Sequence, residues 1–590
     1  QTLSDDLLWR SGIALDRAVF LFRLPSLWLG LLLGAVVWRW ARQLYGPGAA
    51  SLALALLAFS PNILAYTRLA PPDIARATFF VAALFAWSRY LSRQAPGWLV
   101  ASGLTFGLAL SSSYAALLLM PTFTFLAVLS SGLGRGPRPD GSFPRLVRLP
   151  LGWLWRAVLE LIVVALLGGL VAGGLLLATT RQPAVLAAYL DALRRFAGGA
   201  CSERRPTMLG RSAESGWLYD TFVILGLKLP LPTLLLFVVA LAGTAARPLA
   251  RREWDVAFTA LVFLAASLLD PLGPELRYLL PLLMIVFSAR VRAHDETSGW
   301  LRPALAGLLA LSLALTSLFT FPDYLSYFNL PARFIGDAPE LLVGSNSDWG
   351  QDLGQLAEYL DRRGVRSAHL SLYGDADPAA YGIDSLPLPP ETPAPGAGPV
   401  AFHPLNPAPG LYAISATHLS GAPRDLEPGT FGYFNSREPT ARIGGSIYVY
   451  DVPPLAGENG APRWLARCEA AAPLASAEQL RELAGVPDLD VFDFDCESSL
   501  AVRGGMGWLL LTDGVEPVVD LGAPDFVGRT PGGEPSFRVW LSTALPAVPA
   551  SSVEFPPVSL PLPIAGRLEL LGYEASAGQV APVGDLLLTT

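Results

Sequence analysis

GWLYDTFVILGLKLPLPTLLLFVVALAGTAA, residues 216–246, is an apolar run long enough to cross a bilayer, but one lysine and two prolines interrupt it. Lys228 is the chain's only lysine; every other basic residue apart from the histidines is arginine. Pro230 and Pro232 donate no backbone N–H and disfavour helix in the residue before each, so one helix cannot run smoothly through Lys228. Proline suits the first helical turn, so a spanning helix is expected from near Pro230 to Ala246, leaving Lys228 at the membrane–water boundary. Trp217 to Leu227 then forms a separate interfacial or re-entrant piece.

The rest of the chain supports a membrane setting. Its 590 residues are 52% hydrophobic and 15% charged, with a mean hydropathy of +0.43, too apolar for an ordinary soluble protein of this length. Spanning runs are read near 24–42, 48–65, 74–91, 97–113, 114–132, 152–178, 222–246, 254–270, 277–291 and 300–320. Alternate connections carry Arg39 and Arg42, Arg89 and Arg93, Arg135 to Arg148, Arg247 to Arg252, then Arg290 and Arg292. Basic short loops stay in the cytoplasm, so the opposite connections, near 66–73, 180–220 and 271–276, are expected outside. Through Thr320 there are 28 basic and 16 acidic residues; beyond it there are 14 and 33. So acidic a second half argues against a nucleic-acid partner.

The sequence therefore predicts a mostly α polytopic membrane protein of about ten spanning helices, followed by extracytoplasmic α/β and β-sandwich domains. Residues 1–20 read as the end of an outer loop, 21–320 as the membrane core, 321–452 as the α/β domain and 453–590 as a β-rich, incomplete domain. AVLAAYLDALRRFAGG in the 180–220 connection is amphipathic and suits the outer interface. The start on Gln1 and the end in LLLTT suggest a piece truncated at both ends. No internal repeat is legible. Cys201, Cys468 and Cys496 fit no metal spacing; the last two share a water-facing segment and are a disulfide candidate outside the cytoplasm.

Ions beside hydrocarbon are costly and mark function or a partner. In YTRLAPPDIARATFF, Arg68 and Asp73 flank a proline-broken loop before a spanning helix. Asp73 could cap that helix and Arg68 could snorkel, or both could serve a site. Lys228 could pair with a lipid phosphate, snorkel to water or pair with Asp220; Trp217 and Tyr219 beside it are candidate substrate contacts. Arg277 opens a further spanning run, and with Arg68 and Lys228 makes three cations on one side, a set suited to an anionic lipid head. Asp348 and Asp352 in SNSDWGQDLGQL read as turn and cap residues. His294, His369, His403 and His418 are scattered, and no Walker loop or HExxH motif is present.

FRLPSLWLGLLLG and ALLAFSPNILAYTRLAPPD resemble helices of polyprenyl-phosphate-dependent glycosyltransferases of the protein O-mannosyltransferase type, in the GT-C superfamily. LGRSAESGWLYDTFVILGLKLPLP, ELRYLLP, YLSYFN, SNSDWGQDL, GLYAIS and REPTARIGGSIYVYD are similar to segments of its bacterial phospholipid-carrier-dependent members. The resemblance implies an inverting transfer of a sugar from a polyprenyl phosphate to an acceptor protein, lipid or polysaccharide at the outer face of the cytoplasmic membrane. It implies Asp73 as a supporting acid and Arg68 as a basic site residue, with Lys228 and Arg277 at further basic positions. No cofactor is called for, a divalent cation being the one candidate kept. The family's main acid lies in a first outer loop with no counterpart here, and Ser113 stands where relatives often carry a lysine. A lipid-linked sugar transporter and a non-catalytic glycan-binding assembly protein are the alternatives.

Overall fold

The computed structural model describes residues 13–69, 72–133, 151–197, 207–209, 211–212, 219–246, 249–250, 253–268, 285–286, 288, 291, 301–336, 341–344, 347–390, 402–421, 426–427, 429–453, 462–496, 499–502, 506–515, 521–530, 534–542, 562–564, 568–570 and 586–589. The chain divides into two compact units, one of residues 1–203 and 215–336, the other of 204–214 and 337–590.

The first unit is helical. It contains α1 (Leu15–Tyr45), α2 (Pro47–Ala58), α3 (Pro61–Arg68), α4 (Asp73–Arg93), α5 (Pro96–Ser112), α6 (Leu119–Leu133), α7 (Leu151–Thr180) and α8 (Ala184–Ala197). These are followed by α9 (Asp220–Lys228), α10 (Leu231–Ala246), α11 (Trp254–Leu268), α12 (Leu301–Thr320) and α13 (Leu330–Ile335). Prolines start α2, α3 and α5, where a missing N–H costs nothing. Among the described residues, three helices are long and apolar enough to cross a membrane, within α1, α7 and α12. Two bent pairs also pass together: α2 with α3 at 61°, and α9 with α10 at 119°. The sharp second bend falls at Leu229–Pro230, where the proline chemistry requires a break. Leu56, Phe80, Trp87 and Phe123 are buried in a core shared by α2, α4 and α6, while Leu166, Leu170 and Leu308 face outward, as lipid contact allows. Residues 321–336, assigned by sequence texture to the water-facing half, pack within this helical unit.

The second unit opens with the short ribbon β1 (Thr207–Met208) and β2 (Arg211–Ser212). Helix α14 (Leu353–Arg362) then precedes β3 (Ser367–Ser371), β4 (Asp384–Pro387), β5 (Gly410–Ser415), β6 (Ala441–Ile443) and β7 (Ile447–Val452), with the one-turn α15 (Ala416–Leu419) after β5 and α16 (Gly432–Asn435) before β6. These strands form a sheet of order β4-β3-β5-β7-β6, parallel across the first three and antiparallel across the last two pairings. Leu356, Leu370, Ala413 and Val449 fill its core against α14.

The remaining strands correct the β-sandwich expectation. Around α17 (Ala477–Ala484), strands β8 (Trp464–Cys468), β9 (Asp490–Phe494), β11 (Gly507–Thr512), β12 (Phe526–Arg529) and β13 (Pro535–Ser542) form one five-stranded mixed sheet of order β12-β13-β11-β8-β9. Its β8–β9 and β8–β11 pairs are parallel, and a helical connection between β8 and β9 makes that possible. The strand β10 (Ser499–Val502) pairs instead with β16 (Leu586–Thr589), and β14 (Leu562–Ile564) with β15 (Leu568–Leu570). Counted along the chain within each sheet, both five-stranded sheets have the order 2-1-3-5-4 with the same parallel and antiparallel pairings. The structure thus contains a repeat of topology that has no legible sequence counterpart, because pairing direction depends on crossovers rather than on composition. Cys468 and Cys496 are joined in a disulfide between the ends of β8 and β9, with Cα atoms 5.2 Å apart.

Candidate functional site

The break after α9 leaves its last carbonyls without helical partners, a costly state where no water reaches them. Asparagines supply the missing donors. Asn329 Nδ2 donates to the carbonyls of Gly226 and, at 3.0 Å, Leu229, while the Asn329 backbone N–H donates to Leu227 at 2.9 Å. Asn62 Nδ2, on α3, donates to the Lys228 carbonyl at 2.6 Å. Asn329 Oδ1 also accepts the Ala332 N–H at 3.1 Å and so caps α13. One asparagine therefore closes the end of one helix and the start of another.

Lys228 lies inside this junction, 6% exposed. Its Nζ donates to the carbonyl oxygens of Leu325 at 2.8 Å and Tyr327 at 2.9 Å, and sits 4.2 Å from the centroid of the Phe328 ring. The sequence expectation of an ammonium offered to a lipid phosphate differs from this arrangement. Main-chain carbonyls, not Asp220, take the charge, because the strap 322–329 turns its Leu325 and Tyr327 oxygens toward the bend.

Arg68, the last residue of α3, is exposed. Its Nη1 donates to the Pro322 carbonyl at 2.7 Å on the same strap, and its guanidinium carbon lies 5.9 Å from the Phe321 centroid. Ala65 and Tyr66 on α3 pack on Leu325. The structure thus brings Arg68 and Lys228 to one strap, with Arg68 the cation that keeps access to solvent.

Asp73 opens α4 and is 5% exposed. A carboxylate in a helix's first turn is favoured by the dipole, and Arg76, one turn on, places Nη1 3.0 Å from Asp73 Oδ1. Arg76 Nε also donates to the Ser112 carbonyl at 3.2 Å, at the end of α5. The guanidinium therefore ties the carboxylate to a second helix. Beside it, Ser113 accepts the Ala115 N–H at 3.1 Å and caps a 3₁₀ turn, Tyr114–Leu118, a local task that a lysine's donor-only head could not perform.

Tyr219 is exposed immediately before α9. Trp217 and Arg277 lie outside the described residues. Among the described residues, no group of three or more His, Cys, Asp or Glu side chains could hold a metal ion. Sequence reasoning missed Arg76, Asn62 and Asn329. The Asn-Leu-Pro of 329–331 is a helix-start signal that could have marked Asn329, whereas nothing local shows that its amide reaches α9.

The second unit has its own buried cluster at the C-terminal ends of β3 and β5. Asp348, 1% exposed, accepts the Gly350 N–H at 3.0 Å and faces Thr417 Oγ1 at 3.5 Å. Burial pushes its carboxyl up to about 7 despite those bonds. Ser371 Oγ lies 2.8 Å from His418 Nδ1 and donates to the Pro389 carbonyl at 2.6 Å. The cavity beside Asp348 measures about 10 Å³, room for about one water. Among the described residues this cluster holds 347–352, and the cavity has no space for a larger ligand.

No curated protein matches the chain. Solved structures similar to it include ArnT from Cupriavidus metallidurans bound to undecaprenyl phosphate, at 15% identity over 74% of this chain and 85% of that one, TM-score 0.37. Another is the oligosaccharyltransferase AglB from Archaeoglobus fulgidus in complex with an inhibitory peptide and a dolichol-phosphate, at 14% identity over 68% and 60%, TM-score 0.36. Residues 12–167, the stretch that contains Arg68, Asp73 and Arg76, match the family model described as dolichyl-phosphate-mannose-protein mannosyltransferase, and over that stretch the resemblance read from the sequence holds.

Proposed function

We propose that the chain is a membrane glycosyltransferase that moves a sugar from a polyprenyl phosphate to an acceptor at the outer face of the cytoplasmic membrane, with inversion at the anomeric carbon. The observation that carries this reading is the family match over residues 12–167, which contains Arg68 at the end of α3 and the Asp73–Arg76 pair at the start of α4. Chemically, an acceptor oxygen attacks the anomeric carbon, the bond from that carbon to the phosphate oxygen breaks, and the acceptor proton passes to a carboxylate. Negative charge grows on the departing lipid phosphate, and an accessible guanidinium stabilises it. In this reading Arg68, whose Nη1 donates to the Pro322 carbonyl, takes that task. Asp73, oriented by Arg76, supports the acceptor side.

Lys228 enters this reading as a positioning residue, since its ammonium holds the strap to which Arg68 bonds. The domain plan that accompanies it is a spanning core of about ten helices over 21–320, with residues 321–336 packed in the same unit, and water-facing domains over 337–452 and 453–590. The acceptor is a protein, a lipid or a polysaccharide. Reconstituted protein given a polyprenyl-phosphate sugar should release polyprenyl phosphate as acceptor is glycosylated, and Arg68→Ala should weaken use of the donor. Donor use unchanged by that substitution would remove the assigned role of Arg68.

A further inference from the structure

Helix α5 stops at Ser112 because Ser113 is extended, so the last carbonyls of the helix lack intrahelical partners. Donors reach two of them from elsewhere in the fold. Arg76 Nε, on α4, donates to the Ser112 carbonyl at 3.2 Å, and Tyr189 Oη, on α8, donates to the Leu110 carbonyl at 2.8 Å. The end of α5 is therefore held from two sides.

The place of Tyr189 follows from local sequence. After α7 the chain turns at Arg181, whose φ of +54° lies in the left-handed region, and Pro183 leads into α8. Along α8, Leu186, Tyr189 and Leu193 recur at helical spacing and are half-buried, while Leu190, Asp191, Arg194 and Arg195 are exposed. That stripe folds back on α7, where Leu186 Cδ2 lies 3.7 Å from the position a Cβ on Gly173 would take. The Tyr189 ring thereby comes to 5.2 Å from the Tyr114 ring, in the 3₁₀ turn that follows α5.

Arg76 links this helix end to the carboxylate. Its Nε bonds Ser112 while its Nη1 lies 3.0 Å from Asp73 Oδ1. A guanidinium is a planar, rigid fork, so the position of the Ser112 carbonyl sets the direction in which Nη1 points. Helix ends fray unless they are tied, and Tyr189 ties this one two residues before Ser112.

We infer that Tyr189 is a positioning residue for sugar transfer: by anchoring the end of α5 it fixes the carbonyl that orients Arg76 and, through Arg76, the Asp73 carboxylate. The inference rests on the role proposed for Asp73. It gives the amphipathic α8, expected from sequence only to lie at an interface, a task in the site.

The test compares the full chain in proteoliposomes as wild type, Tyr189→Phe, Asp73→Asn and the double variant. Polyprenyl-phosphate mannose is the donor, a threonine-rich peptide, a glycolipid and a polysaccharide are offered as acceptors, and polyprenyl phosphate release is read as turnover per folded molecule. Tyr189→Phe keeps the ring beside Tyr114 and removes only the hydroxyl. Its kcat should fall about tenfold, the weight of one hydrogen bond, with the donor KM unchanged, since the lipid phosphate is assigned to Arg68. In the Asp73→Asn background the same substitution should change turnover by less than about twofold, because a residue acting through Asp73 has nothing left to orient. Hydrogen exchange gives a readout independent of activity: Tyr189→Phe should speed exchange at residues 76–79 of α4 as well as at 113–116. An equal loss in both backgrounds, an unchanged turnover in Tyr189→Phe with or without a lower folded yield, or faster exchange confined to 113–116 would overturn the inference and leave the role of Asp73 standing. No release by the wild type to any acceptor, or a turnover unchanged by Asp73→Asn alone, would overturn that role and the inference with it.

Discussion

Lys228 Nζ donates to the Leu325 carbonyl at 2.8 Å, joining positions 97 residues apart. That bond and its neighbour to Tyr327 convert a lone lysine in apolar sequence into a strut for the strap over the α9–α10 bend. Lys228→Ala leaves two buried carbonyls unpaired, at about 1–3 kcal/mol each. The expected result is a lower thermal midpoint in detergent together with weaker donor use, and Lys228→Arg should recover part of both. Full stability with selective loss of donor binding would return Lys228 to the phosphate.

Asn329 makes an independent test of the same junction. Asn329→Leu removes the donors to Gly226 and Leu229 and the cap of α13. Stability should fall by about 2 kcal/mol or more. Faster hydrogen exchange should appear first in residues 225–229 and 329–333. Uniform exchange across α9 and α13 would show that the asparagine is dispensable.

Asp348 should make the second unit sensitive to pH. Its folded carboxyl is pushed up to about 7 by burial, against about 4 in an unfolded chain. The stability contributed by its protonated form is therefore complete below about pH 4 and is lost as pH rises through 7. The full effect is on the order of 3–4 kcal/mol. Amide protection of residues 347–352 should fall between pH 5 and pH 8, and Asp348→Asn should flatten that dependence and exceed the wild type at pH 8. An unchanged slope in the variant would assign the sensitivity elsewhere.

The Cys468–Cys496 disulfide closes a loop with a sequence separation of 28. Removing it by Cys468→Ser with Cys496→Ser should cost about 3–4 kcal/mol in the chain-entropy account. Both thiols in the native protein should resist alkylation until a reductant is added.

The helical core was legible in the sequence because lipid imposes long apolar runs, and the break at Pro230 was legible because proline chemistry is local. The strap was not. Residues 321–336 read as the start of a soluble domain, since nothing in YLSYFN reveals that its carbonyls point at Lys228 or that Asn329 serves another helix. Arg68 and Asp73 stood out as ions beside hydrocarbon, yet the pairing of Asp73 with Arg76 emerges only once Asp73 begins a helix and Arg76 falls one turn on. Short strands between Gly/Pro turns suggested a sandwich, because composition does not encode parallel pairing.

The central claim is that this chain breaks the bond between a sugar and a polyprenyl phosphate. The most direct measurement is polyprenyl phosphate released from a labelled polyprenyl-phosphate sugar in proteoliposomes with acceptor present, for the wild type and Asp73→Asn. The account predicts release by the wild type and a lower turnover in the variant, in keeping with a supporting role for Asp73, with its folded yield retained. Movement of intact lipid-linked sugar across the bilayer without release of polyprenyl phosphate would contradict it.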